Sequence, residues 1–173
     1  MMTGYTLRDY PASTTFRVEY GDTDGQGRVF YANYLRFFDR GRIAYWVRAG
    51  LSEEEIRRIE HDTVIAEVHC VYRAPASFHD VVSVHTRIAR IGRSSLRMGF
   101  AVMNDSTNIL MAEGDVTLVQ VDLATSRSVP FADELKAKLH ALEGRSSPPL
   151  PSHACPSDRP CAVDHRHNSS PLP

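Results

Sequence analysis

The sequence predicts a single α+β domain in which an antiparallel sheet surrounds one long helix. One strand-like run precedes the long helical pattern, and four strand-like runs follow it. The composition is that of an ordinary globular protein, with 42% hydrophobic and 24% charged residues. At 173 residues the chain is long enough for one domain with a substantial core.

The first strand and the long helix are predicted from their apolar periods. Residues 16–20 alternate between apolar and charged side chains, as in a half-buried strand. Residues 33–49 carry apolar and aromatic side chains at helical spacing, which predicts one broad buried face. Gly41 would allow this helix to approach a sheet closely, and Gly50 would end it.

A short helix, four strands and a final helix are predicted next. Ser52 followed by Glu55 forms a capping box that opens a helix through Ile59. Alternation and turn residues predict strands over residues 64–72, 81–91, 96–102 and 109–121. Gly114 is a candidate bulge in the last of these strands. Residues 133–142 are predicted to form the final helix.

The composition changes sharply after Leu142. Seven of the ten prolines lie in residues 143–173, where serine is also frequent. We therefore predict a folded domain over residues 1–142 and a disordered tail over residues 143–173. Histidines and cysteines of the tail could bind a soft metal in principle, but without a fold to hold them an incidental tail is the better interpretation.

Charge and apolar patterning exclude several classes of function. The net charge of -1 gives no reason to expect nucleic acid or an anionic membrane as the main partner. No apolar run is long enough to span a bilayer, and residues 1–16 lack the pattern of a secretion signal. With three cysteines and no such signal, we expect a reducing, cytoplasmic location.

Residues 22–35 form the most informative segment of the chain. Asp22, Asp24 and Gly27 lie between the first strand and the long helix. A strand that turns and opens a helix places carboxylates near free backbone N–H groups, which stabilise negative charge together with the helix dipole. An acid group beside such a helix end is the arrangement that carbonyl hydrolysis needs.

Two other interpretations of this segment were weighed. An EF-hand calcium loop needs a bidentate Glu at its twelfth position, where this chain has Asn33, so calcium is rejected. Asp and Gly are also common in turns for purely local reasons. For an isolated Asp-x-Asp-Gly turn we would prefer that local interpretation, but the longer pattern favours a site.

The longer pattern resembles the 4-hydroxybenzoyl-CoA thioesterase family. Residues 20–39, YGDTDGQGRVFYANYLRFFD, resemble its signature, and residues 71–80, VYRAPASFHD, resemble its Tyr-x-x-Pro-Ala segment ending in Asp. The resemblance covers about residues 15–139. It implies the hot-dog fold, in which five or six antiparallel strands wrap a long central helix. It also implies hydrolysis of acyl-CoA without a metal or a tightly bound cofactor, by a homodimer or homotetramer with its site at the dimer interface.

The resemblance assigns roles to individual residues. Asp24 is implied to be the catalytic carboxylate, either as nucleophile on the thioester carbonyl or as general base toward water. Tyr31 matches the position whose backbone N–H polarises that carbonyl, where many bacterial relatives carry His. Because a thioester is already activated, a carboxylate and an oxyanion donor suffice. Asp22 is assigned to loop structure.

Four residues are candidate contacts for the substrate. Gly27 belongs to the turn, and Asn33 shapes the start of the helix, where a capping role is preferred over contact with substrate. Arg90 and Arg93 flank the turn at Gly92 and are the best candidates for binding the phosphates of coenzyme A. A solvated hairpin rim is the alternative interpretation of these arginines.

Rival functions remain open at this point. A hydratase or dehydratase of this fold would want a histidine with an acid on the central helix, and this helix has no histidine. A non-catalytic acyl-binding or partner-binding module could keep the scaffold, and a thioesterase could take its acyl group from acyl carrier protein. Glu67 is a weaker carboxylate candidate, and the spacing of the histidines fits no zinc motif.

Overall fold

The computed structural model describes residues 6–144, so the greater part of the predicted tail, with its candidate metal ligands, lies outside the described residues. The helices are α1 (Asn33–Arg48), α2 (Glu53–Asp62) and α3 (Asp133–Glu143). The strands are β1 (Ala12–Arg17), β2 (Thr63–Tyr72), β3 (Val81–Ile91), β4 (Ser95–Asn104), β5 (Ile109–Asp122) and β6 (Arg127–Ser128). Two short 3-10 helices span Leu7–Asp9 and Tyr20–Asp22.

The strands form one antiparallel sheet in the order β1-β3-β4-β5-β2, with the short β6 paired to β5. The long helix α1 packs against β1, β3 and β4, so the sheet curves around it. This arrangement confirms the predicted α+β class and is the hot-dog fold that the family resemblance implies. It leaves β2 as one outer edge of the sheet.

Aromatic side chains of α1 fill the space between helix and sheet. Phe38 is fully buried and stacks on Phe100 of β4, with ring centroids 4.6 Å apart and planes at 10°. At Gly41 a Cβ atom would lie 2.5 Å from Thr86 Oγ1 and 2.7 Å from Val84 Cγ1 of β3. The predicted close approach of helix and sheet at Gly41 is therefore confirmed.

An ionic network centred on the buried Arg42 joins α1 to α2. Arg42, only 8% exposed, donates to Glu60 through Nε at 2.9 Å and Nη2 at 2.7 Å, and to Asp39 through Nη1 at 2.7 Å. Trp46 Nε1 donates to the same Glu60 carboxylate at 2.8 Å. Charged groups are tolerated in such an interior because each is paired and hydrogen-bonded.

The first strand lies earlier in the chain than predicted. It ends at Arg17, and Tyr20 begins a 3-10 turn in which its side chain is 79% exposed. The Asp22 carboxylate accepts a hydrogen bond from Glu19 N–H at 3.0 Å, which turns the chain before the alternating pattern ends. Local side-chain-to-backbone bonding therefore overrides the strand pattern at this point.

The predicted bulge at Gly114 is wrong. Gly114 pairs regularly with Phe100 on β4 and with Cys70 on β2, and the register shifts between β2 and β5 and between β4 and β5 lie elsewhere. A Cβ atom at this position would overlap the carbonyl oxygen of His69 and lie 3.0 Å from Phe38 Cε2. Glycine is needed here because two strands and the α1 core meet closely.

The last described helix ends one residue beyond the predicted domain boundary. Glu143 closes α3, and its Oε1 accepts hydrogen bonds from Tyr45 OH and from Ile88 N–H, both at 2.6 Å. Glu143 therefore belongs to the folded part of the chain, not to the tail. None of the helices within residues 6–144 has both the length and the apolar character that crossing a bilayer requires.

Candidate active site at the Asp24 hairpin

Asp24 opens a tight hairpin that leads into α1. Its N–H donates to the Arg28 carbonyl at 2.8 Å, and its own carbonyl accepts from Gly27 N–H at 3.0 Å. Gly27 has φ 72°, a left-handed conformation that glycine adopts without steric cost. Thr23 and Val29 form an isolated bridge that closes the base of the hairpin.

The Asp24 carboxylate is held by one oxygen only. Its Oδ1 accepts from Gln26 N–H at 2.8 Å and lies 3.4 Å from Arg28 N. Its Oδ2 receives no hydrogen bond from the described residues, and the side chain is exposed. One oxygen fixes the orientation of the group, and the other remains available to a water molecule or a carbonyl carbon.

Asp22 has the loop role that the sequence predicts. It is 3% exposed, and its backbone carbonyl accepts from Phe30 N–H and from Asn33 Nδ2, both at 2.9 Å. Arg36 Nη1 approaches its carboxylate at 3.7 Å. Asn33 is the first residue of α1, and its side chain ties this helix to the Asp22 loop without capping the helix itself.

Tyr31 lies two residues before α1, on the chain that leaves the hairpin. Its N–H donates to no acceptor among the described residues, so it remains available as a hydrogen-bond donor. Its carbonyl accepts from Tyr72 OH at 3.0 Å, and its side chain is 64% exposed beside Phe30. The segment that leads into α1 thus contains a carboxylate oxygen and a backbone N–H that have no hydrogen-bond partner among the described residues.

The structure does not bring Arg90 and Arg93 close to Asp24 within one chain. Both are exposed at the far end of β3, whereas Gly27 carbonyl contacts Phe78 N–H, just before β3 begins. Nine residues of extended strand correspond to about 30 Å. Two further arginines lie on the strands that flank the turn at Gly92. Arg87 of β3 is buried, and Arg97 of β4 pairs with Asp115 at 2.5 Å.

Sequence reasoning found the hairpin but gave Tyr72 no role. Tyr72 is 41 residues from Tyr31 in the chain, so only its place in the Tyr-x-x-Pro-Ala segment pointed to it. Glu67, the alternative carboxylate, lies in the edge strand β2 opposite Thr117. Within the described part of the chain, no group of three His, Cys, Asp or Glu side chains is placed to hold a metal ion.

Comparison with known proteins agrees with the fold and with the resemblance. The acyl-CoA thioesterase YbgC of Haemophilus influenzae is 26% identical over 138 residues, which cover 79% of this chain and all of that protein. The 4-hydroxybenzoyl-CoA thioesterase of a Pseudomonas species is 30% identical over 106 residues, 60% of this chain and 72% of that protein.

A solved structure of a Thermus thermophilus thioesterase, complexed with coenzyme A and Zn, superimposes with a TM-score of 0.70 and 29% identity. The match covers 80% of this chain and 98% of that one. The family profile of the Thioesterase-like superfamily matches residues 18–139, which include the Asp24 hairpin, the three helices and strands β2 to β6, except the last residues of α3. This chain therefore belongs to the Thioesterase-like superfamily.

Proposed function

We propose that this protein is an acyl-CoA thioesterase whose catalytic carboxylate is Asp24 and whose oxyanion donor is the backbone N–H of Tyr31. The observation that carries the proposal is that Asp24 Oδ2 and Tyr31 N–H, in the segment that leads into α1, both lack a hydrogen-bond partner among the described residues. The relatives named above are thioesterases, and the solved neighbour is a complex with coenzyme A.

The proposed chemistry uses these two groups in sequence. The thioester carbonyl oxygen would accept a hydrogen bond from Tyr31 N–H, which stabilises the negative charge that develops on that oxygen. In one route, Asp24 would attack the carbonyl carbon, the CoA thiolate would leave, and water would hydrolyse the resulting anhydride to free acid and Asp24. In the other route, Asp24 would remove a proton from a water that attacks the same carbon, and the CoA thiolate would leave. Removal of one oxyanion donor typically costs about 3 kcal/mol of transition-state stabilisation, so a carboxylate and one N–H can support the reaction.

We propose that the working protein is at least a homodimer formed through β2. Ile65, Val68 and Tyr72 lie opposite Leu118, Val116 and Ala112 of β5, which are buried in the core. In the single chain, however, Ile65 is 52%, Val68 40% and Tyr72 48% exposed. An edge strand with an uncovered apolar face invites pairing with another strand, and a second copy would cover that face.

Such pairing would supply the substrate contacts that one chain lacks. A two-fold axis makes the two β2 strands antiparallel, so the Tyr72 end of one copy meets the Thr63 end of the other. At the Thr63 end, Gln120 pairs with Thr63 and donates from its N–H to the Ser94 carbonyl, in the turn that carries Arg93. Arg90 and Arg93 of a second copy would therefore approach this site, where guanidinium groups could bind CoA phosphates.

The activity is tested by comparing wild type with Asp24→Asn. Hydrolysis of short, medium, long and aromatic acyl-CoAs is followed by mass spectrometry of the released acid and CoA. We expect turnover in wild type, a loss of at least about a hundredfold in Asp24→Asn, and no change in Asp105→Asn, which alters an exposed turn carboxylate outside the site.

Two results would overturn parts of this proposal. If wild type hydrolyses no CoA thioester, acyl-CoA is not the substrate, and acyl groups on acyl carrier protein are assayed next. If wild type is inactive on these as well, the remaining alternative is a non-catalytic binding module. If turnover survives Asp24→Asn, the reaction stands and the acid is another residue, with Glu67 next in order.

The assembly and location are tested separately. Sedimentation should give a dimer or larger for wild type and a monomer for Val68→Asp, whereas Val47→Asp changes a valine that is 62% exposed on α1 and should not dissociate the protein. A monomeric wild type would refute the β2 interface. The cytoplasmic location is also a proposal, and cell fractionation tests it directly.

A further inference from the structure

We infer that Tyr72 is a positioning residue for the oxyanion donor, because its phenol holds the Tyr31 carbonyl and thereby steadies the turn over residues 30–33 that presents the Tyr31 N–H. The inference rests on the proposed function and adds a residue to its machinery. Tyr72 is the last residue of the edge strand β2, and its hydroxyl donates to the Tyr31 carbonyl at 3.0 Å. A tertiary contact therefore holds the backbone beside the proposed donor.

Few other contacts hold this part of the backbone. Tyr31 N–H is unpaired among the described residues, and Tyr34 N approaches the Tyr31 carbonyl only at 3.4 Å, longer than most N–H···O bonds. The Phe30 carbonyl, which shares a peptide plane with the Tyr31 N–H, accepts from Asn33 N–H at 2.8 Å. Tyr72 holds the next peptide plane through the Tyr31 carbonyl, so these two bonds together set the backbone conformation at Tyr31.

Tyr72 is itself supported by the core. Its ring meets the ring of Tyr34 edge-on, with centroids 5.4 Å apart and planes at 68°. Tyr34 is 3% exposed, and its hydroxyl accepts a hydrogen bond from Ala76 N–H at 3.1 Å. The position of the phenol is therefore set by a buried neighbour, as expected for a group that orients a catalytic donor.

The contact also separates Tyr72 from a direct role in catalysis. A phenol has one proton to donate, and here that proton is engaged by the Tyr31 carbonyl. Partial burial and the neighbouring Cys70 thiol raise the pKa of Tyr72 to about 12, so the hydroxyl keeps its proton through neutral pH. The phenol can therefore hold the Tyr31 carbonyl up to and beyond neutral pH without exchanging a proton with substrate.

The test compares Tyr72→Phe with Tyr20→Phe. Tyr20 is exposed, packs edge-on against Phe78, and has a hydroxyl with no hydrogen-bond partner among the described residues, so its variant removes the same atom without this contact. We expect Tyr72→Phe to lower kcat by about threefold to tenfold with KM changed less than twofold, because the lost hydrogen bond acts on transition-state geometry. Tyr20→Phe should behave as wild type.

A spectroscopic measurement distinguishes positioning from general damage. In a CoA ketone analogue, with CH2 in place of the thioester sulfur, the carbonyl stretching frequency falls when a donor polarises the bound carbonyl. We expect a smaller fall in Tyr72→Phe than in wild type or Tyr20→Phe, while the affinity for CoA itself, the melting temperature and the oligomeric state stay unchanged.

The outcomes separate this inference from the proposed function. If wild type is inactive on every acyl thioester, the proposed function fails and the role of Tyr72 fails with it. If wild type is active and Asp24→Asn is not, but Tyr72→Phe matches Tyr20→Phe in kcat and carbonyl frequency, only the role of Tyr72 is refuted. A parallel loss of CoA affinity, melting temperature and kcat would also refute it, since that result indicates structural support alone.

Discussion

Among glycine-to-alanine substitutions at Gly41, Gly92 and Gly114, the one at Gly114 should destabilise this protein most. Gly114 lies in β5, opposite Cys70 of the neighbouring edge strand β2 and close to the core ring of Phe38. The new Cβ would overlap the His69 carbonyl oxygen and lie 3.1 Å from the Cys70 Cα and 3.0 Å from Phe38 Cε2. Two of these three neighbours are backbone atoms, which cannot rotate away.

The magnitude follows from what must move. Relief of the overlap requires β2 to shift away from β5, which lengthens the ladder hydrogen bonds at that point, or Phe38 to leave its stacked position on Phe100. Overpacking of a well-packed site costs about 1 to 3 kcal/mol, and backbone obstacles place this case near the upper end. Alanine recovers about 0.4 to 1 kcal/mol by restricting the unfolded chain. The net loss is about 2 kcal/mol, or roughly 6 to 8 °C in Tm for a folded unit of this size.

Urea and thermal unfolding at one fixed protein concentration measure this loss, because stability of an oligomer depends on concentration. Gly21→Ala is the control: a Cβ at Gly21 meets nothing within 4 Å. It should change the free energy of unfolding by less than about 0.5 kcal/mol. If Gly114→Ala had the same urea midpoint and Tm as Gly21→Ala, the close approach of β2 and β5 would not require glycine at this position.

Two further predictions concern the partly buried carboxylates Glu60 and Glu143. Glu60→Ala leaves the Arg42 guanidinium buried without its main partner and should cost about 3 kcal/mol or more, measured as a lower urea midpoint; Glu53→Ala, which removes an exposed ion pair, should leave that midpoint nearly unchanged. Burial raises the pKa of Glu143, so the fold favours the protonated carboxyl, and its contribution to stability is present at low pH and is lost as pH rises through the raised pKa. Glu143→Gln keeps an acceptor for Tyr45 but cannot ionise. Its free energy of unfolding should therefore rise relative to that of wild type between pH 4 and pH 8. A constant difference between the two proteins over that range would refute this.

Much of the fold was predictable because its signals are local. The predicted strand over residues 81–91 agrees with β3 at both ends, since alternation and a glycine turn define it. The capping box is confirmed by the bond from Ser52 N–H to Glu55 Oε2 at 2.7 Å and its reciprocal from Glu55 N–H to Ser52 Oγ at 3.2 Å. The opening strand was misplaced because residues 12–15 are small or polar and carry no apolar alternation.

Features that depend on distant partners were not predictable. The need for glycine at position 114 comes from the spacing of two strands and the core ring beneath them. Arg42 is charged and yet buried, because Glu60, 18 residues away, pairs with it. At the candidate site the family resemblance indicated Asp24 and Tyr31, but the contact of Tyr31 with Tyr72 exists only in the folded sheet.

The edge strand β2 links stability, assembly and the proposed site in a way that one further measurement can test. Gly114 sets its distance from β5, the exposed Val68 lies on the face that we propose a second copy covers, and Tyr72 at its end holds the Tyr31 carbonyl. A shift of β2 in Gly114→Ala should therefore weaken dimerisation and lower kcat together, at temperatures where the variant remains folded. Glu60→Ala removes contacts between α2 and α1 and leaves the pairing of β2 with β5 intact, so at an equal margin below its own Tm it should keep both. Loss of activity in Gly114→Ala with an intact dimer would restrict the effect to Tyr72, whereas full activity and an intact dimer would show that β2 tolerates the shift.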